Sequence, residues 1–205
     1  MPSTAILQTA TGQHKGDKEQ IPDYLIYETV RGKPIYYKGY REVLNHSKTF
    51  EEIKMESTLQ AWLKANISGL LINLLVGKGY DVMTGELGLI LSDDDKRGAD
   101  ISIFKSENLT LDEHFTKTPP EIIFEIDVVA DPEDNDTMEY ILQKTEDYLQ
   151  FGVKKVIWIF TKNKKTMLAE GQSPWLTFGW ESDIDLLESV SLNIADMLAK
   201  RQTKK

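Results

Sequence analysis

The order of apolar and polar positions along the chain predicts alternating strands and helices. Aromatic, β-prone residues around a turn at residues 31–34 predict a hairpin over residues 24–40. Apolar residues at steps of three and four predict a long helix over residues 56–76. Short apolar runs predict one or two strands over 80–91 and single strands at 99–104, 121–130 and 153–161. Further periodic segments predict helices at 137–151 and 194–200 and a hairpin over 166–180.

The sequence of these elements indicates an α/β fold with a mixed sheet. The strand at 121–130, the helix at 137–151 and the strand at 153–161 have the length of a right-handed crossover, so we expect those two strands to be parallel. The hairpin at 24–40 precedes this core as an N-terminal extension. We expect a flexible lead-in at residues 1–20, one domain at 21–200 and a polar tail at 201–205.

Composition restricts the chemistry that this fold can carry. The 205 residues are 40% hydrophobic and 28% charged, with a net charge of −9, which argues against passive coating of nucleic acid or of an anionic membrane. The chain has no cysteine and only three scattered histidines, so a metal would be a hard cation held by carboxylates. It has no secretory leader pattern, and we expect a soluble cytoplasmic protein with no membrane partner.

Two acidic residues interrupt the apolar strand at 121–130. Glu125 and Asp127 stand two residues apart, so strand alternation places them on one side of the sheet. Asp100 begins the strand at 99–104 after a glycine-containing turn, and three converging carboxylates would suit Mg²⁺. The alternatives are an edge strand whose acids face solvent, and an Asp100 that only terminates a turn.

A lysine lies beside the apolar face of the helix at 137–151. Lys144 falls about 40° outside the apolar arc, so its stem can follow the core while its ammonium points to the sheet. The alternative is a lysine at the helix rim that pairs with Asp147. The arc comprises Met138, Ile141, Leu142, Thr145, Tyr148 and Leu149.

The order Asp100, Glu125-x-Asp127 and a helical Lys144 resembles the PD-(D/E)XK nuclease superfamily. More narrowly, the chain resembles the Uma-two family of “putative restriction endonucleases”, a former domain of unknown function. The resemblance covers roughly residues 24–198 and rests on RGADISIF at 97–104, PPEIIFEI at 119–126, Lys144-x-x-x-Tyr148-x-x-x-Gly152, VIWI at 156–159 and VSLNIADML at 190–198.

The resemblance implies a restriction-endonuclease-like sheet flanked by helices and a metal-dependent endonuclease that hydrolyses DNA phosphodiester bonds. It implies Asp100 and Glu125 as metal ligands, Mg²⁺ as the ion and Mn²⁺ as a substitute. Asp127 departs from the family, since many relatives have an apolar residue there, and it is either a further metal ligand or a sign of altered chemistry. The superfamily's usual lysine position is occupied here by Asp127, and Lys144 matches the helical lysine thought to replace it. The usual proline before the first aspartate is Ala99. A homodimer is expected because cutting two strands favours two sites.

Other interpretations remain open from sequence. The chain could be a catalytically inactive relative that serves as a binding or regulatory module, or it could act on RNA or a nucleotide. Glu56 either complements the dipole of the long helix or projects toward the metal site. The lysines around the strand at 153–161 either mark a solvated boundary or form a phosphate-contacting rim; they are Lys154, Lys155, Lys162, Lys164 and Lys165.

Overall fold

The computed structural model describes residues 21–128, 130–131 and 137–202. The predicted lead-in at 1–20 and most of the predicted tail at 201–205 lie outside the described residues, and the division into these segments stays a prediction. The helices are α1 (Tyr40–Leu44), α2 (Phe50–Lys54), α3 (Thr58–Leu75), α4 (Thr137–Phe151) and α5 (Ile194–Gln202). The strands are β1 (Ile26–Val30), β2 (Lys33–Tyr37), β3 (Tyr80–Ser92), β4 (Asp95–Lys105), β5 (Ile122–Ile126), β6 (Ala130–Asp131), β7 (Lys155–Phe160), β8 (Lys165–Glu170), β9 (Leu176–Gly179), β10 (Ile184–Asp185) and β11 (Ser191–Leu192).

The main sheet is mixed and has helices on both faces. Its strands follow the order β6-β2-β1-β4-β5-β7-β8-β9, and β3 pairs with β4 along the length of both strands. Strands β5 and β7 are parallel, with Phe124 opposite Ile157, which confirms the predicted crossover through α4. The predicted N-terminal hairpin is present as β1 and β2.

Two strands share the edge of β4 that β3 leaves open. Strand β1 pairs there through Thr29 and Lys96, and β5 pairs there from Ile101 onward. The beginning of β1 and the end of β5 therefore approach the same stretch of β4, residues 97–100. This junction of three strands positions the site described below.

Helix α3 covers one face of the sheet. Ser57 and Gln60 form a capping box at its beginning, with each side chain bonded to the other's backbone N–H. Leu63, Ile67 and Leu71 are fully buried against the strands. The segment Thr58–Lys78 is long and apolar enough to cross a membrane by length and composition, a test that the core helix of a soluble protein also passes. In this fold one face of the helix packs on the sheet, and 28% of the apolar window is buried.

Alternation along β5 separates two hydrophobic cores. Ile122, Phe124 and Ile126 pack on the α3 side, whereas Ile123 packs on the α4 side. All five residues of β5 are buried, and the strand lies between β4 and β7. The interpretation of this segment as a solvent-facing edge strand is therefore wrong.

The strand predicted over 121–130 is shorter than expected. It ends at Ile126 because Asp127 has a φ of +60°, which breaks the extended backbone. The Asp127 carboxylate accepts hydrogen bonds from the Thr161 backbone N–H at 2.8 Å and from Thr161 Oγ1 at 2.6 Å. The two-residue alternation that predicts a shared side for Glu125 and Asp127 does not extend to Asp127.

The buried face of α4 differs from its apolar arc. Met138 and Leu142 are exposed, whereas Tyr140 and Lys144 are buried. Polar contacts with β1 and β4, rather than apolar burial alone, set the rotation of this helix. The helix bounds at 137–151 agree with the prediction.

The packing of α3 gives a stability test. Leu71→Ala should lower the free energy of unfolding by about 2–5 kcal/mol, because it removes buried methyl groups and leaves a cavity. Ile72→Ala is the matched control, since Ile72 is the next residue on the same helix and is 46% exposed. Urea unfolding of both variants measures the difference, and equal losses would contradict the assignment of the buried face.

Candidate active site

The site lies where β1, β4 and β5 meet, between α3 and α4. Ile101 on β4 pairs with Phe124 on β5 in an antiparallel ladder. Asp100 directly precedes Ile101 and Glu125 directly follows Phe124, so the two acids are cross-strand neighbours. Ala99 packs in the α4-side core whereas Ile101 packs in the α3-side core, so side-chain alternation slips at Asp100. The slip lies opposite the irregularity in β3 between Thr84 and Leu87.

Lys144 reaches this junction from α4. Its ammonium lies 2.7 Å from Glu28 Oε1 and 3.1 Å from Glu125 Oε1, and its side chain is 2% exposed. Burial disfavours the charged form, but Glu125 and Glu28 outweigh it and raise the pKa of Lys144. The interpretation as a rim lysine paired with Asp147 is wrong, because Asp147 binds Arg97. Four aromatic rings surround the ammonium, with centroids 5.5 to 5.9 Å away: Tyr27, Tyr140, Tyr148 and Trp158.

The carboxyl group of Glu125 is buried, and its pKa is raised. Burial, with added repulsion from Asp100 and Glu28, raises the pKa of Glu125 to about 8 despite the nearby Lys144 ammonium. The Tyr148 hydroxyl lies 2.7 Å from both Glu125 Oε1 and the Gly98 carbonyl oxygen. Its single proton serves one acceptor at a time, so a protonated Glu125 satisfies both contacts.

Asp100 belongs to a second group of charges around the beginning of α3. Carboxylate oxygens of Glu56, Glu86 and Asp100 lie within 4.8 Å of one another. The Lys64 ammonium stands among them, 2.6 Å from Asp100 and 3.7 Å from Glu86, and in contact with Glu56. The position of Glu56 favours the alternative in which it projects toward the metal site.

This donor set fits a divalent cation. Carboxylate oxygens are the ligands that Mg²⁺ and Mn²⁺ prefer, and the cluster already holds a positive group at its centre. The other oxygen of Asp100, Oδ2, accepts a hydrogen bond of 2.6 Å from the Ile126 backbone N–H, which fixes the carboxylate at the end of β5. An ion bound here would displace the Lys64 ammonium.

Asp127 lies apart from this arrangement in its contacts. Its carboxylate binds Thr161 at the end of β7, as described above, and no contact with Asp100, Glu125 or Lys144 is present among the described residues. Of the four predicted site residues, the structure brings Asp100, Glu125 and Lys144 to one junction and turns the fourth toward the β7–β8 connection.

Three residues of the site were missed by sequence reasoning. Glu28 is the partner of Lys144, Lys64 occupies the carboxylate cluster, and Glu86 belongs to that cluster. Each had a signal in the sequence. Glu28 is an acid within an aromatic hairpin strand, Lys64 lies on the apolar face of α3, and Gly85 marks a bulge that re-aims Glu86, whose φ is +64°.

Comparison with protein families matches residues 46–194 to Uma2, described as “Putative restriction endonuclease”. The chain belongs to the Uma2 family. A crystal structure titled as a putative nuclease belonging to DUF820, from Anabaena variabilis ATCC 29413, has the same fold. It superposes with a TM-score of 0.62 at 14% identity, covering 84% of this chain and 89% of that chain. Comparison with curated proteins finds no match.

Membership of Uma2 confirms the resemblance found in the sequence. The matched region contains Asp100, Glu125 and Lys144, together with the carboxylate cluster of Glu56 and Glu86. The hairpin that carries Glu28 precedes it. The structural neighbour confirms the mixed sheet flanked by helices.

The raised pKa of Glu125 predicts a pH dependence of stability. Between an ordinary glutamate pKa of about 4.5 and the folded value of about 8, the unfolded chain releases a proton that the native protein retains. The contribution of Glu125 to stability therefore falls as pH rises through this window. In EDTA, Glu125→Gln should gain stability relative to the unsubstituted protein between pH 5 and pH 8.

Urea unfolding at several pH values measures this difference. Glu139→Gln is the control, because Glu139 is an exposed residue on the same crossover helix. A stability difference between Glu125→Gln and the unsubstituted protein that does not change with pH would contradict the expected titration.

Proposed function

We propose that this protein is a Mg²⁺-dependent endonuclease that hydrolyses DNA phosphodiester bonds, with Mn²⁺ able to replace Mg²⁺. The observation that carries the proposal is the meeting of Asp100, Glu125 and a buried lysine, Lys144, at one strand junction. Membership of the Uma2 family supports the reaction class. Two neighbouring carboxylates and a fixed ammonium are the groups that phosphodiester hydrolysis uses.

Asp100 and Glu125 would hold the metal ion. Glu56 and Glu86, whose carboxylate oxygens cluster with that of Asp100, would contribute from the Asp100 side. When bound, the ion lowers the pKa of a coordinated water and neutralises charge on the scissile phosphate. The protein fixes the Asp100 carboxylate through the Ile126 backbone N–H, so the ligand needs little reorganisation when the ion enters.

Lys144 supplies a permanent positive charge. Its ammonium is ionised at neutral pH, forms an ion pair with the Glu28 carboxylate and lies 3.1 Å from the carboxyl group of Glu125. Such a preorganised charge stabilises the negative charge that develops on the phosphate oxygens in the transition state. Little energy is spent on reorienting it during the reaction.

DNA contact needs local positive charge because the chain as a whole carries a net charge of −9. Lys162, Lys164 and Lys165 are exposed around the turn that follows β7. Since β5 and β7 are parallel, this turn lies at the same end of the sheet as the end of β5, the strand that carries Glu125. Lys155 does not take part in this rim, because it is buried and bonds the Asp185 carbonyl oxygen at 2.7 Å.

In this proposal Asp127 holds the turn that carries Lys162, Lys164 and Lys165. Its two bonds to Thr161 anchor the residue at the start of the basic turn. The alternative that Asp127 binds the ion stays a prediction, and the variants below separate the two roles.

The Lys64 ammonium favours a second candidate function. A lysine that already neutralises the carboxylate cluster suits a relative that has lost its metal and acts as a binding or regulatory module. Divalent-cation binding separates the two candidates, since the module should bind Mn²⁺ no better than its Asp100→Asn variant. Hydrolysis of RNA or of a nucleotide would use the same residues. The cleavage assay includes RNA as a substrate, and a nucleotide is added to it as a further substrate.

Metal-dependent cleavage tests the proposal. Supercoiled plasmid, single-stranded DNA and RNA are incubated with the protein across Mg²⁺ and Mn²⁺ concentrations. We expect nicking of plasmid that Glu125→Gln and Lys144→Ala each reduce about 100-fold or more. The first variant removes a metal ligand, and the second removes a preorganised positive charge. Glu139→Gln and Lys117→Ala are exposed controls and should retain the activity.

Cleavage without a divalent ion, or equal cleavage by the site variants and their controls, would overturn the enzyme assignment. Sedimentation of the active protein at micromolar concentration tests the proposed homodimer. The cytoplasmic location also stays a prediction, and microscopy of a tagged chain tests it.

The two roles of Asp127 predict different outcomes for one substitution. As a support for the basic turn, Asp127→Asn keeps Mn²⁺ affinity and weakens DNA binding, whereas Asp100→Asn loses Mn²⁺ affinity. Asparagine also tolerates the positive φ of +60°, so the backbone is retained. Manganese titration followed by electron paramagnetic resonance checks this, and loss of affinity in both variants would make Asp127 a ligand.

A further inference from the structure

We propose that Glu28 is a positioning residue that fixes the Lys144 ammonium for phosphodiester hydrolysis. Glu28 lies in the N-terminal hairpin, before the region 46–194 that matches Uma2. The inference rests on the proposed function, because it assigns Lys144 its part in the reaction. It makes the hairpin a component of the active site rather than an appendage to the fold.

Of the two acids that contact Lys144, Glu28 is the nearer. The ammonium is 2.7 Å from Glu28 Oε1 and 3.1 Å from Glu125 Oε1, so the shorter ion pair is the one with the hairpin. Both carboxylates are 2% exposed, and water therefore competes little with either contact. Lys144 therefore lies between Glu28, which is not a proposed metal ligand, and Glu125, which is.

Glu28 is itself held rigidly. Its Oε1 also accepts the Gly98 backbone N–H at 3.1 Å. Its Oε2 accepts the Tyr140 hydroxyl at 2.6 Å and Arg97 Nη1 at 3.2 Å. Each oxygen therefore has two partners, and they come from β4 and α4. A carboxylate fixed at four points can transmit its position to the lysine that it binds.

Arg97 extends this arrangement back to α4. The guanidinium contacts Glu28 on β1 and Asp147 on α4, one helical turn from Lys144. The same helix thus meets the Glu28 network through Tyr140, Lys144 and Asp147. These contacts explain why Tyr140 and Lys144 are buried while Leu142, an apolar residue, is exposed.

The charge balance shows what Glu28 contributes. A buried ammonium requires a carboxylate partner, and a lysine paired with Glu125 alone would compete with a metal ion for that ligand. Glu28 supplies a separate partner. Burial opposes the ionisation of Glu28, but Lys144 and Arg97 outweigh it, and the pKa of Glu28 is lowered. Glu125 can then bind an ion without leaving the lysine unpaired.

A double-mutant cycle with cleavage kinetics tests the proposal. Glu28→Gln, Lys144→Ala and the double variant are compared on plasmid DNA at saturating Mg²⁺. Glu28→Gln should lower kcat about 100-fold with little change in KM, as expected when a catalytic group is displaced by about 1 Å. The double variant should be no slower than Lys144→Ala, because Glu28 acts through Lys144.

Glu51→Gln is the control, since Glu51 is exposed on α2. Urea unfolding establishes that each variant is folded at the assay temperature. If Glu28→Gln does not fold, Glu28→Asp replaces it, because it keeps the charge and shortens the side chain by one methylene. Multiplicative losses in the double variant would overturn the proposal, since a purely structural role predicts independent effects.

A second readout does not depend on cleavage. Brief acetylation followed by mass spectrometry measures the reactivity of each lysine, with exposed Lys154 as the internal reference. Lys144 should be protected in the unsubstituted protein and become more reactive in Glu28→Gln. A protein that does not cut DNA but shows this change would reject the proposed function and keep Glu28 as the partner that holds Lys144. Unchanged Lys144 reactivity in both Glu28 variants would reject the positioning role.

Discussion

The structure depends on the pairing of charges that it buries where three strands meet. Glu28, Glu125 and Lys144 are withdrawn from water at one point of the sheet, and each would be costly to bury alone. Their mutual contacts determine the rotation of α4, the attachment of the hairpin to β4 and the exposure of Leu142. The apolar core could have formed with many arrangements of these elements. The ion pairs select one of them.

The hydrophobic layers supply the framework in which this pairing is possible. Helix α3 and the parallel strands β5 and β7 bury a continuous set of aliphatic side chains, so the ends of those strands are placed rigidly. Strand β4 is longer than either strand that shares its second edge, and the gap between them is filled by polar groups. The proposed function is thus located at a part of the sheet that regular pairing leaves incomplete.

Much of the fold could be predicted from sequence because it depends on local periodicity. The bounds of α4, the crossover between β5 and β7 and the N-terminal hairpin all follow from apolar spacing and turn residues. Asp100, Glu125 and Lys144 could be recognised as chemically unusual in their elements. Asp127 could not be placed correctly, because a single positive φ ends the strand that alternation extends.

Glu28, Lys64 and Glu86 could not be assigned to the site because each meets it through a residue of another element, although Lys64 also contacts nearby Glu56. Glu28 meets Lys144 across 116 positions of sequence. Periodicity describes which face of an element a residue occupies, but not which residue of another element it meets. The resemblance to Uma2 did not supply these contacts either.

The slip in side-chain alternation at Asp100 couples the charges on the two faces of the sheet. Helices α3 and α4 lie on opposite faces of the sheet, yet Lys64 from one and Lys144 from the other bind acids on paired strands, Asp100 and Glu125. Charged groups from the two faces of the sheet therefore lie close together at this point, although the surrounding side chains are apolar. A change of charge at Asp100 or Lys64 on the α3 side therefore alters the electrostatic potential at Glu125 and Lys144 on the α4 side, because only the sheet separates the two groups.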